Sequence, residues 1–282
     1  MVNRFLGESI MLNRTKTKSI YEVSACALVF IIWEVAALVM QHVTTNSNKV
    51  FPTLGYIFTE GVRGLSRYSP IVDSNLGDIL LGMSSLLYHG SITFVRVAVA
   101  FGISTILAVV SALHLSKYPI LSRIVSAPIN LARVLPSFAM APLFILWFGA
   151  TTWASLWFIV FSVYFIVLIS ELDAIQAVDP NVIEYSRTLG ISSRSILYHV
   201  SFPASLINMR GSVTFAGLVA WTSVLSAELN GLQDGLGYII SDNIRFSNIA
   251  DMFLSAMCFC FLSFFSMKII GWAMDRITIW RQ

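Results

Sequence analysis

Six runs of about 20 apolar residues, parted by polar stretches, constrain this chain more than any other feature of its sequence. They lie at 20–40, 91–113, 129–148, 153–174, 206–228 and 252–274, each near the ~20 residues a helix needs to cross bilayer hydrocarbon. In that solvent every backbone N–H and C=O must be paired, so such runs form helices. Charged residues make up only 12% of 282 and apolar ones 56%, outside the range of a water-soluble domain. The expected fold class is an all-α membrane protein with six transmembrane helices, a single domain at 20–282 behind a tail at 1–19. The first run follows Arg4, Arg14, Lys16 and Lys18 and has no small-x-small cleavage site, so it reads as an uncleaved anchor.

A polar interruption at 184–203, EYSRTLGISSRSILYHVSFP, carries helix signals of its own. Asp179 is placed to N-cap a helix with Pro180 at its first position, and Gly190 stands where that helix needs a left-handed residue to stop. Ser192 is the N-cap of a second helix, and Ile191 before it is set to fold against Ile196 as a hydrophobic staple. Pro203 is expected to break the hydrogen-bond ladder before the fifth run. Two capped helices lodged between apolar spans read as a docking element and not a linker.

The spacing of Glu184, Gly190 and Pro203 resembles the EAA loop of permease subunits of bacterial binding-protein-dependent ABC importers. Tyr185 and Ser186 stand where that loop has two Ala, and Phe202 replaces its Leu. Further residues resemble the nitrate, sulfonate, taurine and bicarbonate branch: His89, Thr93, Arg96, Val97 and Phe101; Arg133, Pro136, Pro142, Trp147, Phe148 and Gly149; then Trp221, Ala227, Glu228 and the run Gly235 to Tyr238. The eleventh position after Pro203, where the branch has Arg, holds Thr214. Arg210, one turn earlier, is the candidate replacement, since residues four apart share a helix face.

The resemblance implies the type I ABC importer permease fold, with a cytoplasmic coupling loop at 179–203. It implies a dimer of ATPase subunits below, an extracytoplasmic solute-binding protein above, and a homodimer of this chain around a central path. The chain itself would hold no cofactor, because ATP is bound by the partner. Glu184, Tyr185, Ser186, Gly190, Ile196 and Pro203 are the expected ATPase-coupling residues. Arg133, Pro136, Pro142, Thr214, Trp221 and Glu228 are the expected path residues. The solute would be a sulfonate, taurine, nitrate or similar small anion, or else a heterocyclic vitamin precursor.

Basic residues orient the chain. With the N-terminus inside, Arg4, Arg14, Lys16, Lys18, Lys117, Arg123, Arg187, Arg194, Lys268, Arg276 and Arg281 are cytoplasmic, against Lys49, Arg63, Arg67 and Arg245 outside. Eleven against four places both termini and the loop in the cytoplasm of an inner-membrane protein. Of the two longer outer segments, 41–90 holds an amphipathic stretch at 75–87, expected as a helix on the membrane surface or against the bundle. The other, 229–251, is Gly-rich and is placed to gate the outer mouth or meet a delivery protein.

Charges inside spans are costly unless they face protein or water. Glu34 is expected to pair with a neighbouring helix. Glu171 and Asp173 are expected at an interface, and Arg133 either snorkels to headgroups or lines the path. Pro136 and Pro142 predict a kinked or broken third span, whose freed carbonyls suit a cavity wall. There is no GxxxxGK[ST] loop, HExxH or GxSxG in the sequence, and no basic patch interleaved with aromatics for nucleic acid. Cys26, Cys258 and Cys260 have no metal or redox spacing and read as packing residues. A secondary transporter working alone would need intramembrane polar sites with inverted repeats, and no internal repeat is evident. A structural subunit without a path would not need a kinked span.

Overall fold

The computed structural model describes residues 21, 24–25, 27–43, 48, 50–71 and 76–279. Arg4, Arg14, Lys16, Lys18, Cys26, Lys49, Arg281 and the first residue of the 75–87 stretch lie outside the described residues. The helices are α1 (Ala27–Val43), α2 (Leu54–Gly64), α3 (Asp78–Ser116), α4 (Pro119–Val134), α5 (Ser137–Phe148), α6 (Thr152–Gln176), α7 (Pro180–Thr188), α8 (Ser193–Ile196), α9 (Phe202–Leu229), α10 (Leu236–Phe246) and α11 (Ile249–Ile277). No strand occurs among the described residues. Four helical stretches are long and apolar enough to cross a membrane: α3, α6, α8 running into α9, and α11. The pair α4–α5 passes only as a bent unit, and α1 is a shorter apolar helix.

Each of the six sequence runs therefore has a helical counterpart, with one correction. The stretch at 75–87 is not a separate surface helix: it is the start of α3, which runs unbroken for 39 residues, about 58 Å. No Pro and no cap lies between that stretch and the second run, so nothing ends the helix. The third run, 129–148, is broken as its prolines predict, into two helices bent by 96°. Pro136 is the cause, because its ring drives Leu135 out of the helical region, to φ −58 and ψ 128. Pro142 lies inside α5 without ending it.

The core forms where α6 packs between α3 and α9. On α3 the fully buried Ala100, Ser104, Ala108 and Ala112 recur every four residues, one small-residue stripe that lets α6 approach closely. Ser104 donates to the Val160 carbonyl at 3.1 Å, a cross-helix bond that hydrocarbon favours. Ile159, Val163, Val167 and Leu168 of α6 meet Val213, Ala216, Ala220 and Val224 of α9 in this core. The outward faces stay apolar and uncovered, as with Val95, Ile106 and Val110 of α3 and Phe261, Phe264 and Trp272 of α11. Water would penalise such a surface, and lipid does not.

Candidate functional site

The polar element between α6 and α9 has the caps its sequence announces. Asp179 accepts the Asn181 N–H at 2.9 Å and Ser192 accepts the Ser195 N–H at 3.2 Å. Gly190 takes φ +79. Its N–H bonds the Arg187 carbonyl at 2.9 Å, and the Ile191 N–H bonds the Ser186 carbonyl at 3.2 Å, the paired closure of a Schellman motif. Glu184 is exposed, as are Val182, Tyr185, Leu189 and Ile191, so an apolar patch faces away from the bundle. Ser186 and Ile196, expected as coupling contacts, are buried inside the element. The Ser186 hydroxyl turns back to Val182 O at 2.7 Å.

Pro203 does not break the ladder. A π-helical turn at Leu197–Ser201 joins α8 to α9, and the helix continues from Ser193 to Leu229. The Phe202 N–H reaches five residues back to Leu197 O, which widens the turn just ahead of a ring that lacks a donor. Just beyond it Ser205 bonds Glu171 Oε1 at 2.7 Å. Glu171 is 0% exposed, so it ties α6 to α9 instead of sitting at an interface; Asp173 is exposed.

Where α4 and α5 part, a groove of about 590 Å³ opens against α6 and α9. Arg133 and Pro136 line it, with Ser137, Phe161, Gly211 and Phe215 among the other walls. Of the expected path residues only these two border the groove. Pro142 is exposed elsewhere on α5, and the Thr214 hydroxyl closes on Arg210 O at 2.9 Å. Arg210 pairs with Asp275 of α11 at 3.0 Å and so does not stand in the groove for the missing Arg. Trp221 and Glu228 lie away from the groove, 2% and 1% exposed. Trp221 donates to Ser266 at 2.5 Å and edges Phe259, which makes it the seam of α9 with α11.

Glu228 anchors a buried ionic cluster. Arg96 of α3 bonds Glu228 and Asp234, each at 2.6 Å. Thr93 donates to the Glu228 carboxylate at 3.0 Å and accepts the Leu236 N–H at 2.9 Å. The Gly237 N–H points to Glu228 Oε2 at 2.8 Å, so the carboxylate caps the N-terminus of α10, where aligned backbone donors favour an anion. His89 accepts the Gly235 N–H on Nδ1 at 3.1 Å, which leaves Nε2 to donate to Tyr68 O at 3.1 Å. The cluster thus locks α10 to α3 and α9. Sequence reasoning flagged Arg96 and Glu228 singly, and nothing local announces that residues 132 apart meet.

A second cluster ties the outer end. Arg67 pairs with Asp251 and bonds Asn243 at 3.3 Å, and Tyr68 donates to Asp242 at 2.5 Å. Burial, then the Asp242 carboxylate beside it, hold the Tyr68 phenol well above the usual tyrosine range. Glu34 accepts the Leu54 N–H at 2.9 Å, which ties α1 to the N-terminus of α2, a neighbouring helix. Cys258 is half-buried near the core and Cys260 is exposed on the apolar surface. Among the described residues no group of His, Cys, Asp and Glu could hold a metal ion.

Comparison with known proteins gives a consistent result. A putative ABC transporter permease of Methanocaldococcus jannaschii is 23% identical over 100% of this chain and 99% of its own. A putative aliphatic sulfonates transport permease of Bacillus subtilis is 28% identical over 55% of this chain and 56% of its own. A formylaminopyrimidine transport permease of Halalkalibacterium halodurans is 23% identical over 56% of this chain and 63% of its own. Among solved structures, a chain of the MetNI methionine ABC transporter, in inward-facing conformations, superposes with TM-score 0.54 at 20% identity, covering 67% of this chain and 93% of that one. The architecture is therefore that of a type I ABC importer permease. Residues 100–277 match the family of binding-protein-dependent transport system inner membrane components, and the chain belongs to that family, as the multi-pass permease subunit of an ABC importer.

Proposed function

We propose that two copies of this chain form a path for a small organic anion and couple it to ATP hydrolysis by a separate ATPase dimer. The observation that carries the coupling is the unbroken helix from Ser193 to Leu229. A force on α8 passes straight into α9, one wall of the groove, without a hinge. In this reading the exposed patch of Val182, Tyr185 and Leu189 with Glu184 seats in a cleft of the ATPase, the loop and both termini being cytoplasmic. Closure of the ATPase dimer draws the paired loops together and turns the cavity outward. The α10 segment, locked to α3 and α9 by Arg96 and Glu228, moves with them at the outer mouth, where a solute-binding protein delivers.

The anion follows from Arg133 in the groove, and the relative named for aliphatic sulfonates agrees with it. A heterocyclic vitamin precursor is the second reading, favoured by Phe161 and Phe215 in the same walls and by the relative named for formylaminopyrimidine. The test is mechanical. Glu184→Lys and Gly190→Pro should abolish uptake in whole cells while the chain still inserts in the membrane, and normal uptake by both would overturn the coupling.

A further inference from the structure

The groove at the α4–α5 break has a chemical pattern that its place in the bundle does not require. Arg133 is its only charged lining residue, and among the described residues no carboxylate pairs with it. Its hydroxyls fall into two kinds. Ser162 closes on the Phe158 carbonyl at 2.9 Å, the habit of a hydroxyl inside a helix. Ser137, Ser170 and Ser212 border the same space and bond no described protein group, so their donors and acceptors are free for a guest.

Gly211 supplies a second, independent observation. A Cβ on Gly82 would lie 1.8 Å from the Val62 backbone oxygen, so packing demands that glycine. A Cβ on Gly211 would meet nothing within 4 Å, although glycine inside a helix is unfavourable relative to alanine. What its missing side chain leaves is room in the groove, which Gly211 lines.

We infer that the groove is a selecting subsite for a monoanion with a compact apolar body, and that Gly211 sets its width. This rests on the reading of the groove as part of the transport path. Arg133 attracts the charge and free serine hydroxyls bond its oxygens, as a sulfonate or carboxylate requires. Phe161 and Phe215 meet the apolar remainder. A cation finds no acidic partner among the lining residues.

The test uses the assembled importer in membrane vesicles, with Cys26, Cys258 and Cys260 replaced by Ser and Ser212→Cys as reporter. The reporter is reacted with (sulfonatoethyl) methanethiosulfonate and separately with (trimethylammonioethyl) methanethiosulfonate. With each rate normalised to that of the same reagent with free 2-mercaptoethanol, the anionic reagent should react about tenfold faster than the cationic one, as a field focused in a low-dielectric cleft implies, and Arg133→Gln should bring the normalised ratio near unity. Gly211→Leu should slow both reagents severalfold without lowering the amount of chain in the membrane. Ser137→Cys on the opposite wall serves as second reporter if Ser212→Cys does not accumulate. No reaction at either reporter would overturn the path reading together with the inference. Equal normalised rates for the two reagents would leave the path standing and overturn the anion selection. Unchanged rates in Gly211→Leu would overturn the assigned width.

Discussion

Glu228 shows how much one carboxylate organises when it is buried with its partners. It accepts from Arg96, Thr93 and the Gly237 backbone, and the neighbouring glycines are small because of it. A Cβ on Gly235 would lie 2.3 Å from the Glu228 carboxyl, and one on Gly237 2.6 Å from its Cβ. Glu228→Ala should therefore lower stability by about 1–3 kcal/mol, because Arg96 keeps only Asp234 while the Thr93 hydroxyl and the Gly237 N–H lose their acceptor, with Glu228→Gln losing less; thermal unfolding in detergent measures both. Gly237→Ala should cost roughly 1–3 kcal/mol through overpacking, seen in the same melts. The Tyr68 tie gives a pH prediction. Its phenol binds the proton more tightly folded than unfolded, so its contribution is complete below the unfolded value of about 10 and is lost as pH rises above it. Wild type should lose stability above about pH 10 more steeply than Tyr68→Phe, and parallel curves would contradict the tie.

At the scale of elements, the proposed coupling depends on the connection of α8 to α9. Inserting Gly-Gly after Ser201 should preserve both caps yet remove uptake, because a flexible joint replaces a continuous helix; uptake near wild type would show that force travels another way. Gly190→Ala should cost about 1 kcal/mol from the left-handed conformation at the α7 stop. Much of this element was legible in the sequence, since caps and stops are local chemistry: Asp179, Gly190 and Ser192 all act where their types predict. The continuation through Pro203 was not legible. A proline removes one donor, but whether the chain ends its helix or widens one turn depends on what the neighbours hold in place. The break at Pro136 was legible as a kink, whereas its 96° angle belongs to the packing of α4 and α5 against α6. The cluster of Arg96 with Glu228 and the Glu171 contact with Ser205 are tertiary, and hydropathy reads such residues only as charges out of place.

For the whole molecule, the account joins a groove, a rigid helix and an outward-facing polar element into one machine that has no phosphate loop in its own sequence. Burial is uneven: about half of the best apolar window is covered in α6 and in α8–α9, but only 22% in α11. Under the proposed function a second copy packs across the face that carries the groove, so that two grooves make one path. The most direct measurement is purification of this chain from gently solubilised native membranes, with mass spectrometry of what stays bound and Glu184→Lys as the comparison. The account predicts an ATPase subunit with a phosphate loop alongside the wild-type chain, depleted in the variant. Recovery of the wild-type chain with no ATPase, from membranes in which it supports uptake, would contradict it.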